Sequence, residues 1–281
     1  MIGPEMIAST LSVQRPFGKS GALYQYHSRS DHHSKVTCLA VAIDLLSTSA
    51  LLRAHAAVGR VTIGVNHRMA DFKLRKQKDL DLVIARPATS PTEAPPGLSI
   101  AELAGRLQIR LTPDQRRIFD DLPDVRSAPV GSVLVALEAK ACMTEHGKAG
   151  PRLFDELNSS QQIVHGAADQ AIAVGLAMIN IAPTFVSPGR QVVGGDNVVN
   201  VHRQPEAAAA VIHKVRGLPR RTGPGSEGFD AMGILVVDLR NDGSPVTVWT
   251  EPPAPAPADV DHYESMVMRA ASLYDYRFAT I

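Results

Sequence analysis

Residues 133–142 read Val133-Leu134-Val135-Ala136-Leu137-Glu138-Ala139-Lys140-Ala141-Cys142, an apolar run interrupted by one acid and one base. The run predicts a β-strand. Side chains alternate along a strand, so Glu138 and Lys140 share one face, while Val133, Val135, Leu137, Ala139 and Ala141 take the other. Upstream, Asp79-Leu80-Asp81-Leu82-Val83-Ile84-Ala85 reads as a second strand, ended by Pro87. There Asp79 and Asp81 share a face, with Leu80, Leu82 and Ile84 opposite.

Working outward, Val61–Val65 is a third strand, and a helix from Ser34 to about Ser49 precedes it. That helix is apolar on several faces (Val36, Leu39, Ala40, Val41, Ile43), which predicts burial against a sheet. A basic connector from His67 to Lys78, with Arg68, Lys73, Arg75 and Lys76, joins the two upstream strands. Beyond the decisive strand, Pro151 opens a helix to about Gly166, and Ala171–Ala182 is apolar enough for a central strand. A helix over 205–216, a hairpin across Asn241-Asp242-Gly243-Ser244 and a closing helix at about 260–274 complete the chain. Two capping boxes, Ser99/Glu102 and Thr112/Gln115, start short helices inside 87–128. We read that segment as a helical insertion. The expected architecture is one α/β domain over 1–281, a central mixed sheet flanked by helices, with 229–281 as a C-terminal hairpin and helix.

Composition excludes several classes. A net charge of +1 is no polycation, and 5% aromatic residues give no base-stacking platform. The two cysteines, Cys38 and Cys142, lie in apolar runs and read as buried thiols of a cytoplasmic protein. The start of the chain has no secretory signal pattern, and no window is apolar enough to span a membrane. Phe17-Gly18-Lys19-Ser20 resembles the end of a phosphate-binding loop, but Val13 stands where the first glycine belongs.

The chemistry lies in Asp81, Glu138 and Lys140. A hard divalent cation is held by carboxylate oxygens, with room left for waters and a phosphate oxygen. The carbonyl of Ala139 stands between the two charged side chains as a further ligand. An adjacent lysine can hold the attacking water and balance charge growing on phosphorus. With ten Glu and eight Lys in the chain, a Glu-x-Lys arises by chance about 0.3 times. Chance copies fall mostly on solvated helices; this one interrupts a core strand, where unpaired charge is costly. Asp81 rather than Asp79 is the expected ligand, because it adjoins the apolar run while Asp79 follows the lysine-rich connector.

The order of buried helix, strand, strand with Asp81, strand with Glu138-Ala139-Lys140, helix and strand resembles the PD-(D/E)xK, or restriction-endonuclease-like, superfamily over about residues 34–187. The resemblance implies a Mg²⁺ site (Mn²⁺ substituting) held by Asp81 and Glu138, with Lys140 serving the nucleophilic water. It implies cleavage of DNA to 5′-phosphate and 3′-hydroxyl ends. The sequence departs from the pattern at Lys78, where a proline is common, and in the 57-residue separation of Asp81 and Glu138. No Gln-xxx-Tyr follows in the next helix, which favours a restriction-type endonuclease acting on double-stranded DNA as a homodimer. The alternatives are a repair nuclease for single strands or flaps, and a non-catalytic DNA-binding module. Arg152, Arg116, Arg117, Lys214, Arg220 and Arg221 are candidates for phosphate contacts. His32 and His33 are candidates for contact with the backbone or the site.

Overall fold

In the computed structural model, which describes residues 1–18, 21–71, 75–88, 97–191, 197–223 and 225–281, the chain opens with a helix that the sequence reading passed over. This α1 (Gly3–Leu11) buries Met6, Ile7 and Leu11, and its N-terminal amides at Ile2 and Gly3 donate to the Asp44 carboxylate, both at 2.9 Å. A small ribbon, β1 (Arg15–Pro16) and β2 (Leu23–Tyr24), leads to α2 (His32–Thr48) and α3 (Ala50–Ala57). Next come β3 (Thr62–Ala70), β4 (Gln77–Pro87), α4 (Ile100–Arg106), α5 (Pro113–Asp120) and β5 (Val130–Cys142). The chain continues through α6 (His146–Ala167), β6 (Ile172–Asn180), β7 (Thr184–Gln191) and β8 (Asn197–Val201). It closes with α7 (Glu206–Arg216), β9 (Ala231–Asp238), β10 (Thr247–Val248) and α8 (Tyr263–Arg277).

Six strands form one mixed sheet in the order β10-β9-β6-β5-β4-β3. The pairs β3–β4 and β4–β5 are antiparallel, β5–β6 and β6–β9 parallel, and β10 closes the edge antiparallel to β9. Parallel neighbours need long crossovers, and α6 and α7 supply them. One face of the sheet is covered by α1, α2 and α8, the other by α6 and α7. Burial on both faces explains why every residue of β6 is buried and why its sequence shows no alternation. Among the described residues no single helix is long and apolar enough to cross a membrane. Both cysteines are free and buried.

Several expectations need correction. The basic connector is largely strand: His67 and Arg68 lie on β3 and Lys78 on β4. Lys73 and the Lys19-Ser20 end of the loop-like string lie outside the described residues. Helix α6 starts five residues before Pro151, because Glu145, in the left-handed region at φ 48°, turns the chain out of β5 and its carbonyl accepts from Lys148 and Ala149. Between the strand ending at Ala182 and the helix over 205–216, where the sequence analysis places no element, β7 and β8 pair as an antiparallel ribbon. The C-terminal segment is built into the fold: β10 joins the sheet and Tyr263, Met266 and Tyr274 of α8 are buried in the main core.

The insertion also belongs to that core. Both capping boxes form as expected. However, Ile100, Leu103, Leu107, Ile109, Phe119 and Val125 bury themselves with α1 and α2. Its amides and carbonyls are tied in too: Arg110 N–H donates to Thr10 Oγ1, and the Ile63 N–H donates to the Arg126 carbonyl. A segment so buried cannot be removed without opening that core. We expect Leu103→Ala to lower the stability to denaturant by about 2–4 kcal/mol, as for other buried leucines. A loss below about 0.5 kcal/mol would return the segment to the status of an appendage.

Candidate active site

The first condition for a site at Asp81 is that β4 and β5 part there. Their pairing runs from Pro87↔Val130 to Leu82↔Leu137 and stops. Beyond it β4 stays with β3, but with an irregularity. Asn66, opposite Asp81, is in the left-handed region at φ 51°, and the pairing passes from Val65↔Leu82 to His67↔Leu80. Leu80 and Val83 pack in the α6–α7 layer, whereas Leu82 and Ile84 pack in the α2 layer. Strict alternation along 80–84 is therefore broken, which corrects the reading that placed Leu80 with Leu82 and Ile84.

The break turns Asp81 across the gap between the strands. Ser34 Oγ, in the first turn of α2, donates to Asp81 Oδ1 at 2.8 Å, and the Ala139 N–H donates to Oδ2 at 3.1 Å. A strand residue directs its N–H and C=O to the same edge. The Ala139 carbonyl therefore faces the gap that holds Asp81. Burial, and after it the charge of Glu138, raise the Asp81 pKa above the usual carboxylate value, against the opposing pull of Lys140, Ala139 and Ser34.

Glu138 and Lys140 project together towards α6, as the strand period required. Lys140 Nζ lies 2.9 Å from Glu138 Oε1 and 3.9 Å from Glu156 Oε2 on α6. Burial works against its charge, but Glu138, Asp81 and Glu156 together outweigh it, so the Lys140 pKa lies above its usual value. Glu138 is only 4% exposed, and a second lysine, Lys78, stands 3.2 Å from the same Oε1. Asp79 is held by Arg68 through two hydrogen bonds of 2.8 and 3.1 Å, on the exposed side of the strand.

Asp81, Ala139 and Lys140 form the floor of a cleft of about 630 Å³. One wall is the segment from Tyr26 to Ser34; the other is the start of α6, with Arg152 and Glu156. His33 reaches the cleft, packed on Tyr26 with ring centroids 4.8 Å apart. Burial, reinforced by Lys140, lowers its pKa to about 4, so it is neutral at pH 7. His32 points elsewhere, with Nδ1 2.7 Å from Arg15. No known family model, curated protein or solved structure matches this chain. What the site can do must be read from its own groups.

The donors on offer to a metal are oxygens: Asp81, the Ala139 carbonyl and Glu138. That set suits Mg²⁺ or Mn²⁺, and not the nitrogen and sulfur sites of zinc. Both carboxylate oxygens of Glu138 are buried without a hydrogen-bond partner, the two lysines meeting Oε1 as ion pairs, which fits a carboxylate lacking one of its ligands. Among the described residues no cluster of three His, Cys, Asp or Glu side chains is poised around one point, so the backbone carbonyl is needed to complete a set of three.

Of the proposed phosphate contacts, Arg152 alone lines the cleft, where it pairs with Glu156 at 2.6 Å. Arg116 and Arg117 are exposed on α5 and paired with Asp120 and Asp114. Because β5, β6 and β9 run parallel, their C-terminal ends share the cleft edge, while Lys214, Arg220 and Arg221, which precede β9, belong to the opposite edge. Lys214 is exposed there. Arg220 donates to the Met232 carbonyl at 2.9 Å. Arg221 is buried among Asp169, His165 and Asp230, so it offers nothing to a phosphate. Ser34 and Lys78 are the participants that sequence reasoning missed. Ser34 carried no signal, being a small polar residue at a helix start. The signal for Lys78 was present: it lies two residues before Leu80, on the same strand face.

Proposed function

We propose that the protein is a Mg²⁺-dependent DNA nuclease that hydrolyses phosphodiester bonds in the cleft over Asp81, Ala139 and Lys140, leaving 5′-phosphate and 3′-hydroxyl ends. The observation that carries the reading is the parting of β4 from β5. It lets an aspartate from one strand and the lysine of an acid–lysine pair from the next meet at a cleft floor, with Glu138 buried behind that lysine, in the helix–strand–strand–strand–helix–strand order of PD-(D/E)xK nucleases. Asp81, Glu138 and the Ala139 carbonyl would hold the ion, which lowers the pKa of a bound water and withdraws charge from the phosphate. Lys140 is protonated at neutral pH, so it acts as a donor to the attacking water or the phosphate oxygen, and not as a general base. Arg152, at the mouth, can leave Glu156 to grip a neighbouring phosphate. With one such site per chain, cutting both strands of a duplex calls for two chains, so a homodimer is part of the proposal.

The reading is tested by exchanging the ion. Mg²⁺ and Mn²⁺ should support cleavage, whereas Ca²⁺, with its larger and looser coordination shell, should support DNA binding without turnover. Cleavage undiminished by EDTA would overturn it.

A further inference from the structure

We propose that Lys78 is a resident counter-cation that holds Glu138 back from the cleft and sets how tightly the free protein binds a divalent ion. The inference rests on the nuclease reading and concerns a residue outside the Asp-Glu-Lys set. Lys78 Nζ donates to the Glu156 carbonyl at 2.9 Å and to Ser160 Oγ at 2.5 Å, both on α6. An ammonium group has three hydrogens. Two are used on α6, and Glu138 Oε1, 3.2 Å away, meets the ammonium as an ion pair. Lys78 is thus anchored to α6 by hydrogen bonds and faces Glu138 by charge.

Lys140 differs from it. It touches the same oxygen, but its other acidic neighbour, Glu156, is 3.9 Å away, and it opens on the cleft. Lys140 can swing towards a substrate; Lys78 is tethered to α6 whatever enters. In the resting protein the two carboxylates, Asp81 and Glu138, are balanced by the two lysines, so the site has little net attraction for a cation. A divalent ion therefore gains most when a phosphate arrives with it and restores the charge balance, and Lys78 is the group that imposes this coupling. Lys78 touches neither the substrate nor the reacting atoms, so it is a positioning residue.

The sign of the effect distinguishes this role from a merely structural one. Removing a fixed positive charge strengthens the binding of another cation; loosening a scaffold weakens it. For a doubly charged ion about 6 Å away, even water-like screening gives about ten-fold in affinity. The experiment is calorimetric titration of Mn²⁺ into the DNA-free protein for wild type, Lys78→Met and Lys78→Arg, with and without inorganic phosphate. Expected is Mn²⁺ affinity about ten-fold tighter in Lys78→Met than in wild type, little change in Lys78→Arg, and a smaller gain from phosphate in Lys78→Met. Unchanged or weaker Mn²⁺ binding by a folded Lys78→Met, in a protein whose wild type cuts DNA, overturns this proposal alone. So does a Lys78→Met variant that does not fold while Lys78→Arg does, because the charge would then serve only the scaffold. Absence of binding and of cleavage in all three proteins overturns the proposal together with the nuclease reading.

Discussion

Lys140→Ala should lower Mg²⁺-dependent DNA cleavage by about 10²–10³-fold, the usual cost of losing one donor aimed at transition-state charge. The fold should survive. Lys140 stands on the cleft floor with its side chain 25% exposed, and the strand's packing into the main core is carried by Val135, Leu137 and Ala139. Its removal leaves Lys78 on Glu138, so no buried carboxylate is stranded, and the stability cost should be on the order of 1–2 kcal/mol. Lys140→Arg should not restore the rate, since a planar guanidinium presents its hydrogens in a different geometry. Single-turnover cleavage alongside thermal unfolding separates the outcomes. A variant that cuts at near wild-type rate would remove Lys140 from the chemistry.

The second large effect divides two aspartates. Asp81→Asn should abolish Mg²⁺-dependent cleavage without loss of metal-free stability. The asparagine can keep the local hydrogen bonds: its carbonyl accepts from the Ala139 N–H, and its amide donates to Ser34 Oγ, whose own hydrogen then goes to the Asp31 carbonyl 3.0 Å away. It also relieves a strain. The Asp81 pKa is raised in the folded protein, so the native state favours the protonated form, and metal-free stability falls as pH rises from the unfolded value through the folded one. A neutral side chain lacks that loss, and the metal-free melting temperature of Asp81→Asn at pH 7 should match or exceed that of wild type. Asp79→Asn loses only a solvent-screened, exposed pair with Arg68 and should cut normally. An inactive Asp79→Asn beside an active Asp81→Asn would place the metal on the wrong strand face.

The elements that govern the site were legible in the sequence because their signals are local. The apolar run of β5, the all-apolar β6 and the two capping boxes each carry a period or a cap that needs no tertiary context. What could not be read depended on contacts distant in sequence. The first helix is buried by α2 and α8, and nothing in Gly3–Leu11 states that Asp44 will cap it. The insertion looked separable because its caps are self-contained, yet its apolar faces complete the core. At the site, the pairing of Glu138 with Lys140 followed from strand period alone. The turn of Asp81 towards Ser34 did not, because it arises where β4 leaves β5 opposite the left-handed Asn66. Lys78 was missed for a related reason: its partners on α6 and on β5 are distant in sequence, and only the strand face it shares with Leu80 points to them.

The central claim is that this cleft hydrolyses DNA with the help of a divalent ion. Incubating the purified protein with plasmid and with end-labelled linear and single-stranded DNA, in Mg²⁺ and in EDTA, and then determining the chemistry of the new ends, tests it most directly. New 5′-phosphate and 3′-hydroxyl ends are expected in Mg²⁺ and none in EDTA; intact DNA under both conditions, or ends carrying a 3′-phosphate, would overturn the nuclease proposal.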